Sequence, residues 1–228
     1  MEIDVTSAEE CAATCTAESA LDFWRYSSPV EHDAVILPDG CRDLILSEQA
    51  GRSRRWFISD LGHRSERVWL SGETETLGIR LKPGVQIDEA LLLTWISENG
   101  PSALMAGSVL DEFCRLHAST KEILDCLKSG LGSVGGAAAR LGVSTRTLQR
   151  EVQKRTGESP LFWMSLARVR RAARRLRDDP SPAELAISCG YADQAHLCRD
   201  IKRWFGVTPK GLLHDETLWR QLDQTGYA

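Results

Sequence analysis

The chain contains no apolar run approaching the roughly 18 residues that a membrane-spanning helix requires, so no membrane span is expected. Its opening residues, MEIDVTSAEECAATC, lack the basic region and apolar stretch of a secretory leader, and the expected location is the cytoplasm. Seven cysteines are scattered at Cys11, Cys15, Cys41, Cys114, Cys126, Cys189 and Cys198, with no pair of CxxC units. No His-x-His or His-x-x-x-His pair occurs among five histidines either, so neither a structural zinc site nor a compact catalytic metal site has support. Cys11 and Cys15 share a helical spacing suited to a redox or metal pair. A loose N-terminal segment with two small residues explains them better. The expected cofactor and metal content is none.

What is present is a charge asymmetry. Residues 1–128 carry 12 basic and 22 acidic side chains, net −10, whereas residues 129–228 carry 16 and 10, net +6. Between 140 and 210 the balance is 15 against 7. A basic module joined to an acidic one implies that the second half alone meets a polyanion.

The first half alternates short β-type runs with turn material. Ala34–Leu37, Asp43–Ser47, Arg54–Ser59, Arg67–Leu70 and Thr76–Lys82 are separated by Pro-Asp-Gly, Glu-Gln-Ala-Gly, Leu-Gly-His and Ser-Gly-Glu. The spacing predicts a small antiparallel barrel or sandwich, flanked by helices over Ile87–Glu98 and about Ala103–His117. Asp39-Gly40 is expected to form a turn and Asp43 to cap backbone groups, with functional carboxylates as the alternative. Trp24, Trp56, Trp69 and Trp95 are expected in core packing, with an aromatic pocket as the alternative.

From Ser119 the pattern is helical throughout. Ser119 with Glu122 signals a start at Thr120, and Ser133 and Ser144 cap the next two helices. Gly135 and Gly136 fall in a first turn, which predicts fraying there. Ser159-Pro160 opens a connector expected to run to Arg177, about 27 Å at 1.5 Å per residue. Ser181-Pro182-x-Glu184 and Thr208-Pro209 open later helices.

One pattern is written twice. Ala138, Gly142, Leu148, Val152, Gly157 and Ser159-Pro160 are followed by Ala186, Gly190, Leu197, Ile201, Gly206 and Thr208-Pro209. A small residue, a turn glycine and an apolar pair four apart suit two helices crossing at a short turn. With Leu148 and Val152 buried, Arg146, Arg150 and Gln153 lie on the outer side and Gln149 on its flank. With Leu197, Ile201, Trp204 and Phe205 buried, Ala195, Arg199, Lys202 and Arg203 face out, His196 beside them. Arg and Gln are the side chains that make paired hydrogen bonds to guanine and adenine edges. A solvated basic face is the bland reading of one such stripe; its duplication after two helix-turn-helix crossings favours duplex DNA.

Residues 119–213 resemble the DNA-binding domain of the AraC/XylS family of bacterial transcription regulators, through SVGGAAARLGVSTRTLQREVQKRTGESP and SPAELAISCGYADQAHLCRDIKRWFGVTP. The resemblance implies base reading by Arg146, Gln149 and Arg150 in the first unit and by Gln194, Ala195 and Arg199 in the second. Gln153 is added from the helical face. Thr145, Lys154, Arg174, His196, Lys202 and Arg203 are the expected phosphate contacts. The connector arginines Arg168, Arg170, Arg171, Arg174, Arg175 and Arg177 are open between phosphate and the acidic half of the chain. Departures from the family pattern are Leu197 and Ile201, where aromatics are usual, and Gly135 and Gly136.

WRYSSP, LPDGCRDLIL and LGIRLKPG resemble a sensor-like domain that precedes this module in bacterial regulators. The expected organisation is α+β: residues 1–118 a β-rich effector-binding or dimerisation domain, 119–213 an all-α double helix-turn-helix domain, and 214–228 a tail. Expected partners are double-stranded DNA, with RNA polymerase, a small-molecule effector and a second copy through the N-terminal half left open. Non-enzymatic regulation is the expected function. A DNA-repair alkyl acceptor carrying the same module, and a metal-dependent barrel enzyme using His32, His63 and His117, are the alternatives.

Overall fold

The computed structural model of the chain describes residues 17–49, 54–100, 103–104, 109–179 and 181–228. The expected Cys11–Cys15 segment lies outside them. The fold is α+β, with antiparallel sheets in the first half and helices in the second. Two compact units divide the chain, and their boundary is not a single cut: one comprises residues 1–31, 42–60 and 71–117, the other 32–41, 61–70 and 118–228.

In the first unit, β1 (Ala20–Ser28), β3 (Arg42–Gln49), β4 (Arg55–Ile58) and β6 (Thr74–Leu81) form one antiparallel sheet in the order β1-β6-β3-β4. Helix α1 (Glu89–Asn99) begins where Asp88 accepts a hydrogen bond from the Leu91 amide. Leu92 and Ile96 of α1 lie four apart, hence on one face, and join Leu44, Ile79, Leu81 and Leu110 in the core. Of the expected helix over Ala103–His117, Ala103 and Leu104 are helical, and from Leu110 the described residues form a single-turn α2 (Leu110–Phe113) and a strand β8 (Cys114–Arg115) paired with β7 (Gln86–Ile87). The Asp111 carboxylate, in the first turn of α2, accepts from the Ser19 hydroxyl and from the Glu18 and Ser19 amides.

On the opposite face of the sheet Trp24 lies across Gly78 of the neighbouring strand. Asp43, expected to cap backbone groups, meets two side chains on this face. Its Oδ1 accepts from Trp24 Nε1 at 2.7 Å and from Arg80 Nε at 3.2 Å, because neighbouring strands place these side chains on its own face. Trp24 does not share a face of the sheet with the core on which Trp56 and Trp95 pack. Trp56 and Trp95 pack on this unit's core, while Trp69 is 61% exposed in the other unit.

The second unit takes a ribbon from the first half of the sequence. β2 (His32–Ile36) pairs with β5 (Glu66–Leu70), Ala34 opposite Val68. The strands expected as one barrel or sandwich are thus shared between a four-stranded sheet and this separate ribbon. The remainder is helical: α3 (Ala118–Lys128), α4 (Val134–Arg140), α5 (Thr145–Thr156), α6 (Pro160–Arg174), α7 (Pro182–Ser188), α8 (Gln194–Phe205), α9 (Pro209–His214) and α10 (Glu216–Asp223). Ser133, Ser144, Ser159, Ser181, Asp193 and Thr208 each accept from an amide of their helix's first turn, as Ser/Thr/Asp N-caps do. Ser119 lies inside α3 rather than capping it, and its hydroxyl accepts from Arg155 Nη1. Gly136 sits where a Cβ would approach the Leu131 carbonyl to 3.0 Å, so a tight turn accounts for a glycine there.

The connector α6 has 15 residues, about 22 Å long, because its end tightens, with the Leu176 amide donating to the Ala173 carbonyl. Within residues 214–228, expected as a tail, α10 buries Leu218, Trp219 and Leu222, and Tyr227 beyond it is also buried. Among the described residues, no helix is long and apolar enough to cross a membrane.

Gly78→Ala is expected to destabilise the first unit by about 1–3 kcal/mol, the usual cost of overpacking, since the new Cβ would fall 2.1 Å from the Trp24 ring. Urea denaturation followed by tryptophan fluorescence measures this.

Candidate nucleic-acid interface

Each half of the repeat folds as a helix-turn-helix. In the first, α4 leads through Gly142, at a left-handed φ of 67°, into α5; in the second, α7 leads through Gly190, at 77°, into α8. The left-handed turn is what a residue without a Cβ adopts at little cost. The Val143 amide donates to the Ala138 carbonyl and the Tyr191 amide to the Ala186 carbonyl, so the two turns close alike. Leu148 and Val152 bury the inner face of α5, and Leu197, Ile201, Trp204 and Phe205 that of α8.

The outer faces hold the expected reading residues. Thr145, Arg146, Gln149, Arg150, Gln153 and Lys154 on α5 are all exposed, as are Gln194, Ala195, Arg199, Lys202 and Arg203 on α8. His196 is half-buried, its ring edge-on to Tyr191 at 5.0 Å. Arg150 makes only a 3.4 Å contact with Glu151. Gln153 has its amide nitrogen on the Gly157 carbonyl, closing the end of its own helix. Arg203 lies over the Trp204 ring at 5.5 Å.

The connector arginines go elsewhere. Arg174, expected on phosphate, donates from Nε to the Leu222 carbonyl at 2.9 Å, from Nη2 to that of Gln224 at 3.1 Å, and from Nη1 to that of Ala228. Burial holds its pKa below the ordinary arginine value, Asp223 opposing the shift. Arg170 has no exposed surface. Arg175 pairs with Asp179 and Arg177 with Glu216, the latter arginine lying over the Trp219 ring at 3.9 Å. Arg171 donates to the Lys128 carbonyl. These partners belong to the second unit itself, a use that a count of basic residues does not reveal.

Sequence reasoning missed the group that fixes the second reading helix. Asp200, buried on α8, accepts from the Tyr191 hydroxyl at 3.0 Å and lies 3.5 Å from Arg168 Nη2 on the connector. Arg168 also lies over the Tyr191 ring at 4.5 Å. Burial, and then the Asp200 charge, push the Tyr191 hydroxyl well above its ordinary pKa. The signal was available: position 200 falls within the Leu197–Ile201–Trp204 stripe, and an acid on a buried face needs a donor.

Among the described residues no three His, Cys, Asp or Glu side chains gather as a metal set. Cys41, Cys114, Cys126 and Cys189 are buried free thiols and Cys198 is half-buried. Burial, then the nearby Asp111 charge, push Cys114 up to about 12, so it is not an activated thiol.

Paired crossings of this kind, with two outward cationic helices, define a double helix-turn-helix module. Residues 137–214 match the family model described as a helix-turn-helix domain. The HTH-type transcriptional activator RhaS of Salmonella dublin is 32% identical over 196 residues, covering 83% of this chain and 66% of that protein. RhaS of Pectobacterium atrosepticum is 33% identical over 81 residues, covering 35% of this chain and 29% of that protein, so the chain spans under a third of that relative. The crystallised DNA-binding domain of AdpA, in complex with a target DNA, is 31% identical; the match covers 40% of this chain and 86% of that one, with a TM-score of 0.37. The chain belongs to the AraC/XylS family.

Tyr191→Phe is expected to cost about 1–3 kcal/mol by leaving a buried carboxylate short of a donor, read from chemical denaturation. Arg174→Ala is expected to lower stability by a similar amount while leaving the salt dependence of DNA binding unchanged, because its donors are committed to carbonyls.

Proposed function

We propose that the chain is a sequence-specific regulator of transcription that reads duplex DNA with α5 and α8. The observation that carries this reading is the duplication: each helix buries one face and leaves exposed basic and amide side chains on the other. Arg146, Gln149 and Arg150 are assigned to base edges in one major-groove segment, and Gln194, Ala195 and Arg199 in the next. Ala195 offers a methyl group, suited to contact with a thymine methyl rather than to a hydrogen bond. Gln153 is given a lesser share because its amide is engaged. Thr145, Lys154, His196, Lys202 and Arg203 flank these faces and are assigned to phosphate, which sets register without reading sequence.

A small-molecule effector acting through the β-rich unit, pairing with a second copy there, and contact with RNA polymerase complete the proposal, in the cytoplasm and without catalysis. The alkyl-acceptor reading is not favoured: it calls for an activated thiol, and burial raises the Cys114 and Cys126 pKa values.

Arg150→Ala is expected to weaken binding to the preferred site by about 1–3 kcal/mol and to relax preference at one base pair, measured by selection from random duplexes. An unchanged preference would overturn the assignment of the first reading face. Lys202→Ala should weaken all sequences alike and lower the slope of log affinity against log salt by about one.

A further inference from the structure

The arm 61–65, which leads into β5, belongs to the helical unit and touches the C-terminal ends of both reading helices. His63 Nε2 lies 3.0 Å from Glu158 Oε1, one residue beyond Gly157, which ends α5. The His63 ring stands 5.0 Å from that of Phe162, which in turn lies 5.6 Å from that of Trp204 on α8. Two residues on, the Ser65 amide donates to the Trp204 carbonyl at 2.7 Å. That carbonyl is one of the last four of α8, which have no partner within the helix. A Cβ at Gly206, which ends α8, would come within 2.7 Å of Ser65 Oγ. Leu61 packs against the core of the unit, anchoring the arm at its start.

We propose that residues 61–65 are a brace that fixes the separation of α5 and α8, and hence the half-site spacing the chain accepts on DNA. The brace rests on the DNA-binding reading above. The connector holds α8 through Arg168 and Asp200, and the arm adds a second tie at the far ends of the pair, to the Trp204 carbonyl and to Glu158 just beyond Gly157. The arm spans the pair on the side of their C-terminal ends, so Ser65 and His63 are positioning residues that touch no base. The ribbon that carries it continues into Asp60 and Ser71 of the other unit, which gives that unit a covalent hold on the brace.

The test uses the full chain and a duplex it selects from random-sequence DNA, then re-spaced by one base pair between half-sites. The native chain should lose at least about tenfold in affinity on re-spacing. A variant with His63→Ala and Ser65→Pro, which removes both contacts, should lose less than about threefold and bind isolated half-sites as the native chain does. Undiminished discrimination in that variant overturns the brace. Should proline at 65 prevent folding, the pair Ser65→Cys with Gly206→Cys replaces it, combined with His63→Ala. The ideal Cβ at 206 lies 3.9 Å from Ser65 Cβ, within disulfide range. In the reduced state the side chain added at 206 crowds that of residue 65 and displaces the arm, so discrimination should fall; oxidation should close the disulfide and restore it, and equal discrimination in both states overturns the proposal. Hydrogen exchange at the Ser65 amide separates the two ideas. Slow exchange with no duplex selected sinks the DNA reading, and the brace's role with it; fast exchange in a chain that binds DNA sinks the brace alone.

Discussion

Arg170 is the residue on which the helical unit turns. Its guanidinium sits on the connector with no exposed surface, and a charge so placed is untenable without several acceptors. It finds them in three parts of the sequence: the Pro38 carbonyl at 3.2 Å, the Leu222 and Gln224 carbonyls at 3.2 and 3.4 Å, and that of Ala228 at 3.5 Å. A planar fork of five donors is suited to this; a lysine would offer a point charge instead. Arg174, one turn further, repeats the grip on the C-terminal carbonyls. The connector, the ribbon and the C-terminal helix are therefore held by donors that a simple reading of charge would assign to solvent or phosphate.

The ribbon is fastened from the other side as well. Gln221 of α10 accepts from the Leu37 amide at 3.1 Å and donates to the Val35 carbonyl at 2.6 Å, pairing with the edge of β2 as another strand would. The Tyr227 amide donates to the Asp39 carbonyl at 2.7 Å, and its hydroxyl to the Leu124 carbonyl at 2.7 Å. Gly40 lies under this closure at a left-handed φ of 81°, where a Cβ would meet Tyr227 Cβ at 2.7 Å. The Pro-Asp-Gly turn is thus a docking point for helices remote in sequence.

Local rules served where the physics is local. Caps at Ser133, Ser144, Ser159, Ser181 and Thr208 were legible because each satisfies amides within its own first turn. The inner and outer faces of α5 and α8 were legible because helical periodicity fixes them. The fate of Arg174 was not, since phosphate-facing and carbonyl-bound arginines are spelled alike. Nor was the placement of β2 and β5: their alternation predicts strands, and alternation says nothing about which core a strand covers. Nor was the bond between Asp111 and Ser19, 92 residues apart.

These non-local bonds also determine what counts as a domain here. Cutting the chain between His117 and Ala118 separates the strands from the helices but removes Leu37, a buried member of the helical core, and leaves Arg170, Gln221 and the Trp204 carbonyl each short of a partner. Each buried polar group so exposed costs about 1–3 kcal/mol, a large share of the roughly 5–15 kcal/mol by which such units are stable. The sequence boundary and the energetic boundary therefore differ. The ribbon 32–41 and 61–70 is N-terminal by position and belongs to the helical unit through its bonds to Arg170, Gln221 and the Trp204 carbonyl.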